Sequence, residues 1–597
     1  MTAVLPRRAV PLGVGTGVHP DRTDWAPDGA PMPSPSRPTV GAELLDAALR
    51  DPYRVAYYFF DTQDVLTRLS IADVIGLAAG AAGILRDAGA ARGDTVVIAL
   101  DTGPDLLAAF VGCILLGAVP VITESAPANQ RAAHWAARVR HLAETTGARH
   151  LILDQDGPAE AARLCGGIHV VPAGFPVLSG WSGGPTATPA DLAFIQFTSG
   201  TTAKAKGIPV SHAALLANIA AMGRASGVRE GDLMLGWLPL FHDMGLVGVA
   251  LGPLLLGLPA ALLSPLSFIS RPERWLWAVH FLRATMSPAP NFAYQHCLAR
   301  VPDEALAGLD LSSWRLAFNG SEQVQALTIA RWQERMERYG FRATSMAPVY
   351  GLAEAALAVT GPELGSLPVV DRISRTELAR TGRAVPAPAG PDAIDFVASG
   401  RPLPAYQVIV VDHAGRGLAD REQGQILATG PSVIKRYVGE PDGDPSLLPG
   451  GWLDTGDVGY LASGQLFVTG RKKELLIKAG RNYHPHDIEA AVAGLVGVRG
   501  VIAAGIPDEA KGTDNIAIAI ETPMRDQERL RAMRRSVEDA VFHGVGIRPD
   551  TVLFVRPGSL PRTTSGKLRR TEAAEMIAAG TLRAYPETRP PASVASG

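Results

Sequence analysis

The sequence predicts an α/β protein with a large N-terminal domain and a small C-terminal α+β domain. Three observations carry this. Apolar runs of strand length alternate with amphipathic helical stretches from about residue 39 to 470, the pattern of layered α/β structure. A second set of strands and helices begins near Arg471 and runs to about 585. The chain has 597 residues, enough for two or more domains.

Taken in order, residues 1–38 are rich in Pro, Gly and Ser, lack periodicity and read as a mostly disordered tail. In the large domain, strands are expected at 95–100, 150–153, 192–197, 315–318 and 407–411. Helices fit 105–116 and 329–339, and Ser211 is a candidate N-cap for a helix over 211–226. Residues 425–428 and 465–468 read as strands of a smaller β-rich portion. The segment 361–398 mixes Pro, Gly and charge around a short apolar patch, Leu367 to Val370. It is long for a loop inside a domain and is expected to be functional or mobile, with the patch docked on the large domain. In the small domain, strands are expected at 501–504, 516–520 and 552–555, and helices at 487–493 and 529–542. Residues 586–597 form a tail.

Composition excludes several function classes. Net charge is −2, with no basic surplus to argue for nucleic acid or an anionic membrane. The three cysteines, Cys113, Cys165 and Cys297, have neither metal-ligand spacing nor a paired framework, and a reducing cytoplasm is the simple expectation. Residues 244–270 carry no charge and are long enough to span a bilayer, but Pro253, Pro259, Pro265 and several glycines interrupt them. They read as buried core elements, so no stable membrane span is expected.

Two loops carry chemistry. The first is Thr198-Ser199-Gly200-Thr201-Thr202-Ala203-Lys204-Ala205-Lys206-Gly207, which follows the apolar run 192–197. Read as strand, polar loop and helix, it suits a phosphate, because backbone N–H groups and hydroxyls converge on the anion. The second, Pro561-Arg562-Thr563-Thr564-Ser565-Gly566-Lys567, places one lysine on a flexible turn. Arginine carries most of the positive charge, and six of the eight lysines lie in these loops or at Lys472, Lys473 and Lys478. A lysine offers a compact charge on a flexible stem that arginine imitates poorly. Together the loops point to an enzyme that activates a substrate with ATP.

These segments, with Tyr350-Gly351-Leu352-Ala353-Glu354, Thr455-Gly456-Asp457 and Gly470-Arg471-Lys472-Lys473-Glu474, resemble the adenylate-forming superfamily over roughly residues 40–585. Five motifs in the family's order make the likeness specific. A narrower resemblance, to the fatty acyl-AMP ligase branch, rests on Gly236 to Pro239 leading to His242-Asp243-Met244-Gly245-Leu246 and on 289–294. It rests also on Trp314-Arg315 with Asn319-Gly320-Ser321-Glu322, on 480–485, and on an insertion at 361–398. The chain departs from the family pattern at Ala203 and Ala205, where Gly and Pro are usual.

The resemblance implies an adenylate-forming fold with a hinge at Lys473 and the following roles. Thr198, Ser199, Gly200, Thr201, Thr202 and Lys206 hold the phosphates of ATP. Gly320, Ser321 and Glu322 wall the adenine, and Tyr350 with Gly351 lies beside it. Glu354 is the Mg²⁺ ligand, Asp457 accepts the ribose hydroxyls and Arg471 assists there. Lys567 bridges the carboxylate and the α-phosphate. His242, Asp243, Met244, Gly245 and Phe292 border the acyl pocket, His242 as a gate or carboxylate contact or as a core histidine. His484 and His486 lack a third metal ligand. The implied reaction is ATP- and Mg²⁺-dependent activation of a fatty or other hydrophobic carboxylic acid. Transfer to the phosphopantetheine thiol of an acyl carrier protein acting in trans would follow. The alternatives are coenzyme A as acceptor and, remotely, a non-catalytic regulator.

Overall fold

The computed structural model describes residues 10–11, 29–60, 65–126, 132–154, 163, 165–183, 187–197, 206–440, 444–474, 476–478, 481–508, 513–562 and 568–585. The large domain is built on an eight-stranded sheet whose central strands, Val55–Phe60, Ala260–Leu263, Met234–Gly236, Met286–Ala289, Leu316–Asn319 and Met346–Pro348, run parallel in that spatial order. A second, four-stranded parallel sheet contains Thr95–Ile98 and His150–Leu153. These strands read as unbroken apolar runs because helices cover both faces. The helix Pro104–Leu116 is buried from Leu106 onward and packs on Ile71–Asp87. Gly112 permits that approach, since a Cβ there would lie 2.8 Å from the Ala78 carbonyl oxygen. A third sheet, antiparallel, joins Gln407–Val411, Gly424–Thr429, Trp452–Ala462 and Gln465–Arg471.

The small domain has its own core. Gly500–Asp508, Thr513–Glu521 and Thr551–Val555 form a three-stranded sheet. Helices Pro485–Ala493 and Gln527–Val545 pack with it around Ile488, Val492, Ile518, Val537, Val541 and Phe554. Buried charges lock this unit: Arg570 bonds both oxygens of Glu489 (2.9 and 2.6 Å) and reaches Glu474 (2.9 Å).

Several expectations needed correction. The polar loop after Leu192–Phe197 does not lead straight into a helix. Gly207–Ser211 returns antiparallel to that strand, burying Ile208 and Val210, and leads into the helix in its place. The helix His212–Ala225 follows, with Ser211 as its N-cap (3.1 Å to Ala214 N). Residues 29–38 are strapped down rather than loose: Met32 N donates to Val228 O (2.9 Å), and Glu43 accepts the backbone N–H groups of Ser36 and Arg37 (2.8 Å each). The rest of that predicted tail, apart from Val10–Pro11, lies outside the described residues. The apolar stretch 244–270 is a π-helical turn, Met244–Leu251, followed by Gly252–Leu256, Ala260–Leu263 and Pro265–Ser270. Among the described residues no helix is long and apolar enough to cross a membrane.

The insertion was misread most. It is a hairpin, Val370–Ser374 with Ala393–Val397, capped by the helix Arg375–Thr381. Asp392 accepts hydrogen bonds from Ser374 and Thr376 and organises the turn. It docks through Ile373, Ile394 and Phe396 against Tyr460 and Phe467, and not through the 367–370 patch, where Leu367, Val369 and Val370 are exposed. Alternation along two strands had placed the docking residues on one face, and the local run of apolar letters was misleading.

Candidate active site

The third sheet presents the first part of the site. Gly456 holds a left-handed conformation (φ 72°) inside Trp452–Ala462, and Asp454 and Thr455 side chains bond the backbone N–H groups of Gly456 and Asp457 (3.0 and 3.2 Å). That turn fixes Asp457, which lies directly opposite Arg471 in the cross-strand register. The Asp457 carboxylate pairs with Arg471 Nε (3.2 Å) and accepts the Tyr350 hydroxyl (2.7 Å). Burial pushes the Asp457 carboxyl above its ordinary range, against the opposing pull of Arg471. A carboxylate so fixed, with two acceptor oxygens, matches a vicinal diol.

Across the strand end stands the second wall. Gly320 follows Leu316–Asn319 at a point where a Cβ would lie 2.7 Å from the Val349 carbonyl oxygen, so only glycine fits. Ser321 takes a positive φ (70°), as does Ala356 (67°), two residues after Glu354. Such strain in non-glycine residues collects at functional sites. Glu322 accepts the Phe292 N–H (2.6 Å), holding the start of the helix Asn291–Arg300.

A third group surrounds Glu354, whose carboxyl is pushed up by burial. Tyr437 donates its hydroxyl to Glu354 Oε1 (3.1 Å). Lys206 places its ammonium 4.5 Å from the centre of the Tyr437 ring and 2.5 Å from Asp444 Oδ2. Burial works to raise the Asp444 carboxyl, but Lys206 and Ser446 outweigh it and hold it below the ordinary carboxylate range. Glu354 and Lys206 thus approach the same Tyr437 side chain, Glu354 at its hydroxyl and Lys206 over its ring. Thr198 to Ala205 and Lys567 lie outside the described residues. The flanks of the Lys567 loop are fixed: Arg562 and Leu568 form a bridge, and Glu521 accepts the N–H groups of Gly558 and Leu560 (2.9 and 3.0 Å).

Next to these walls opens an apolar cavity of about 950 Å³, including space open to solvent at its mouth. It is lined by Asp243, Ser321, Tyr350 and Gly351 together with Met222, Met234, Met244, Leu256, Met286 and Phe318, among others. Asp243 and Met244 line it, whereas His242, Gly245 and Phe292 do not. His242 pairs with Asp243 (2.7 Å), Gly245 lets the turn pack on the Pro239 carbonyl, and Phe292 stacks edge-on against Trp237.

Among the described residues the small domain meets this region through several contacts. Gln323, two residues after Ser321, bonds His486 (3.0 Å), and Arg375 of the insertion pairs with Asp487 (3.1 Å). His484 is buried beside Phe396 and His486, and burial lowers its pKa to about 4. Lys473 sits in the single turn Lys472–Glu474 that follows Arg471. Sequence reasoning missed Tyr437, Asp444, Gln323 and Arg375. All four lie outside the motifs, and no spacing rule joins partners such as Tyr437 and Glu354, 83 positions apart, or Asp444 and Lys206, 238 apart.

Comparison with known proteins agrees with this geometry. The family model described as AMP-binding enzyme matches residues 44–438. The medium-chain-fatty-acid–[acyl-carrier-protein] ligase TtuA of Teredinibacter turnerae is 38% identical over 66% of this chain, which spans only 64% of that relative's length. A putative acyl-CoA synthetase of Caulobacter vibrioides is 35% identical over 83% of this chain and 87% of its own. A solved structure from studies of fatty acyl-adenylate ligases of E. coli and L. pneumophila superposes with a TM-score of 0.83 at 31% identity, covering 92% of this chain and 99% of the other. The chain therefore belongs to the AMP-binding enzyme family, on its fatty acyl-AMP ligase branch.

Proposed function

We propose that the protein activates a fatty carboxylic acid with ATP, forming an acyl-adenylate and diphosphate. It then passes the acyl group to the phosphopantetheine thiol of a separate acyl carrier protein. The observation that carries this reading is the shared residue Tyr350: it lines the apolar cavity with Ser321 and Gly351, and its hydroxyl donates to Asp457, the partner of Arg471. An acid with its tail in the cavity presents its carboxylate where the α-phosphate is expected.

Two anions must meet there, so the chain's part is positioning and charge neutralisation. Asp457 orients the ribose, with Arg471 and Tyr350 holding its carboxylate in place. Thr198, Ser199, Gly200, Thr201, Thr202 and Lys206 grip the β- and γ-phosphates, Lys206 exchanging Asp444 for phosphate oxygens. Gly320 and Ser321 form the adenine wall. Glu354 would hold Mg²⁺, which would supply charge neutralisation at the phosphates. Lys567 bridges the attacking carboxylate and the α-phosphate, and rotation about Lys473 withdraws it before thiol attack. The insertion, seated on the large domain and paired to the small domain through Arg375–Asp487, biases that rotation against free coenzyme A. The protein acts in the cytoplasm.

The test is to offer holo acyl carrier protein and coenzyme A side by side with ATP, Mg²⁺ and a fatty acid. Acylation of the carrier alone supports the reading. Efficient thioester formation with coenzyme A favours the second reading, an acyl-CoA synthetase, for which the Caulobacter relative's name is the supporting observation.

A further inference from the structure

The motif Trp314-Arg315 has no part in the reaction as drawn, yet the structure gives Arg315 a defined place. It precedes Leu316–Asn319, and its guanidinium uses every face. Nε and Nη2 bond the two oxygens of Asp232, Nη1 bonds the Ser226 carbonyl (3.0 Å), and Nη2 also reaches the Gly227 carbonyl (3.1 Å) and Met286 Sδ (3.7 Å). Both partners are shielded, with side chains 13% and 2% exposed for Arg315 and Asp232.

This group lies at one end of the acyl cavity. Met286 and Met234 begin adjacent parallel strands and are paired in register, while Pro288 and Phe318 are paired nearer the opposite, nucleotide-side end. All four line the cavity, so it runs along the sheet from Ser321 toward the strand starts. There it meets Met234, Met286, Ser226 and Val228, each buried. Behind Met286 and Ser226 stands the Arg315–Asp232 pair.

We infer that this end is a fixed stop that sets the longest unbranched acyl chain the protein activates, with Met286 as its facing and Arg315–Asp232 as its backing. The inference rests on the acid-activating reading above. Each further methylene buried is worth about fourfold in binding until the tail reaches Met286. Methionine is flexible and yields a little. Beyond it, a tail must separate a buried ion pair whose donors are already satisfied, and nothing there repays that separation.

The experiment measures kcat/KM for acyl-adenylate formation with saturated straight-chain acids from octanoic to stearic, for the intact protein and for Met286→Ala and Met286→Trp. Expected is a drop of about tenfold or more past one chain length in the intact protein. Met286→Ala should move that drop to longer acids and Met286→Trp to shorter ones, with the change mainly in KM for the acid. If Met286→Trp fails to fold, Met286→Ala still decides. A profile without any drop through stearic acid, or a drop that Met286→Ala leaves in place, overturns the stop. Failure of every acid to form an adenylate would instead overturn the function on which it rests.

Discussion

The two sides of the shared wall at Tyr350 are built on opposite plans. The acyl side is a cavity cut into one apolar core, lined by residues of the parallel sheet and the helices covering it. The nucleotide side is made of charged groups that satisfy one another: Tyr350 and Arg471 on Asp457, Asp444 on Lys206, Tyr437 on Glu354. It also touches the small domain through Gln323 and His486. The difference teaches where binding energy goes. On the proposed reading, an acyl tail is bound by burial, whereas ATP exchanges its phosphates and ribose for partners already in place.

The contrast can be broken most forcefully at Asp457. Asp457→Asn keeps the shape but removes the charge that Arg471 and the ribose share. ATP–diphosphate exchange should fall roughly a hundredfold or more, while the acid's KM changes little. An equal rise in both KM values would mean that the two sides are not separable.

Glu354→Gln should shift the Mg²⁺ titration to higher concentration and lower the rate by about tenfold or more. Because Tyr437 still has an oxygen to donate to, the fold should hold. A titration curve that coincides with that of the intact protein would remove Glu354 as the ligand.

The seat of the small domain is sharpened by pH. His484 has a folded pKa of about 4, below its ordinary 6.5, through burial beside His486 and Arg375 and against the opposing pull of Asp487. Between those pH values the unfolded chain binds a proton that the folded chain refuses, so stability is lost as pH falls from 6.5 toward 4. His212, whose Nδ1 accepts the Val40 N–H, has the same sign and window. The loss should be on the order of a few kcal/mol, and His484→Asn should flatten part of it in melting curves taken across that range. An unchanged slope would contradict the buried neutral imidazole.

The smallest effect is expected at Asp444. Asp444→Asn frees Lys206 from its competing anion, and KM for ATP should fall by a few-fold, about 0.5–1 kcal/mol. A rise would show that Asp444 positions the lysine for phosphate instead of competing for it.

Much of this was legible in the sequence, for physical reasons. Strands such as His150–Leu153 and Gln407–Val411 were readable to the residue because runs buried in a sheet are apolar and short. Asp457, Tyr350 and Glu354 sit in motifs that stand out in the sequence, and the fold brings Tyr350 onto Asp457. What escaped was set by tertiary proximity. Gly207–Ser211 is a short strand that hid between a polar loop and a helix cap. The docking face of the insertion is spread over two strands and pairs with Tyr460 and Phe467, some seventy residues later. Asp444 meets Lys206 across 238 positions, a distance that no local pattern spans.

The central claim is that this chain joins a fatty acid to AMP. Its most direct test is mass spectrometry of the protein incubated with ATP, Mg²⁺ and a fatty acid, with no thiol present. The account predicts acyl-adenylate with an equal amount of diphosphate, lost on replacing Lys567 by Ala. ATP left intact, or hydrolysed without acyl-adenylate, would contradict it.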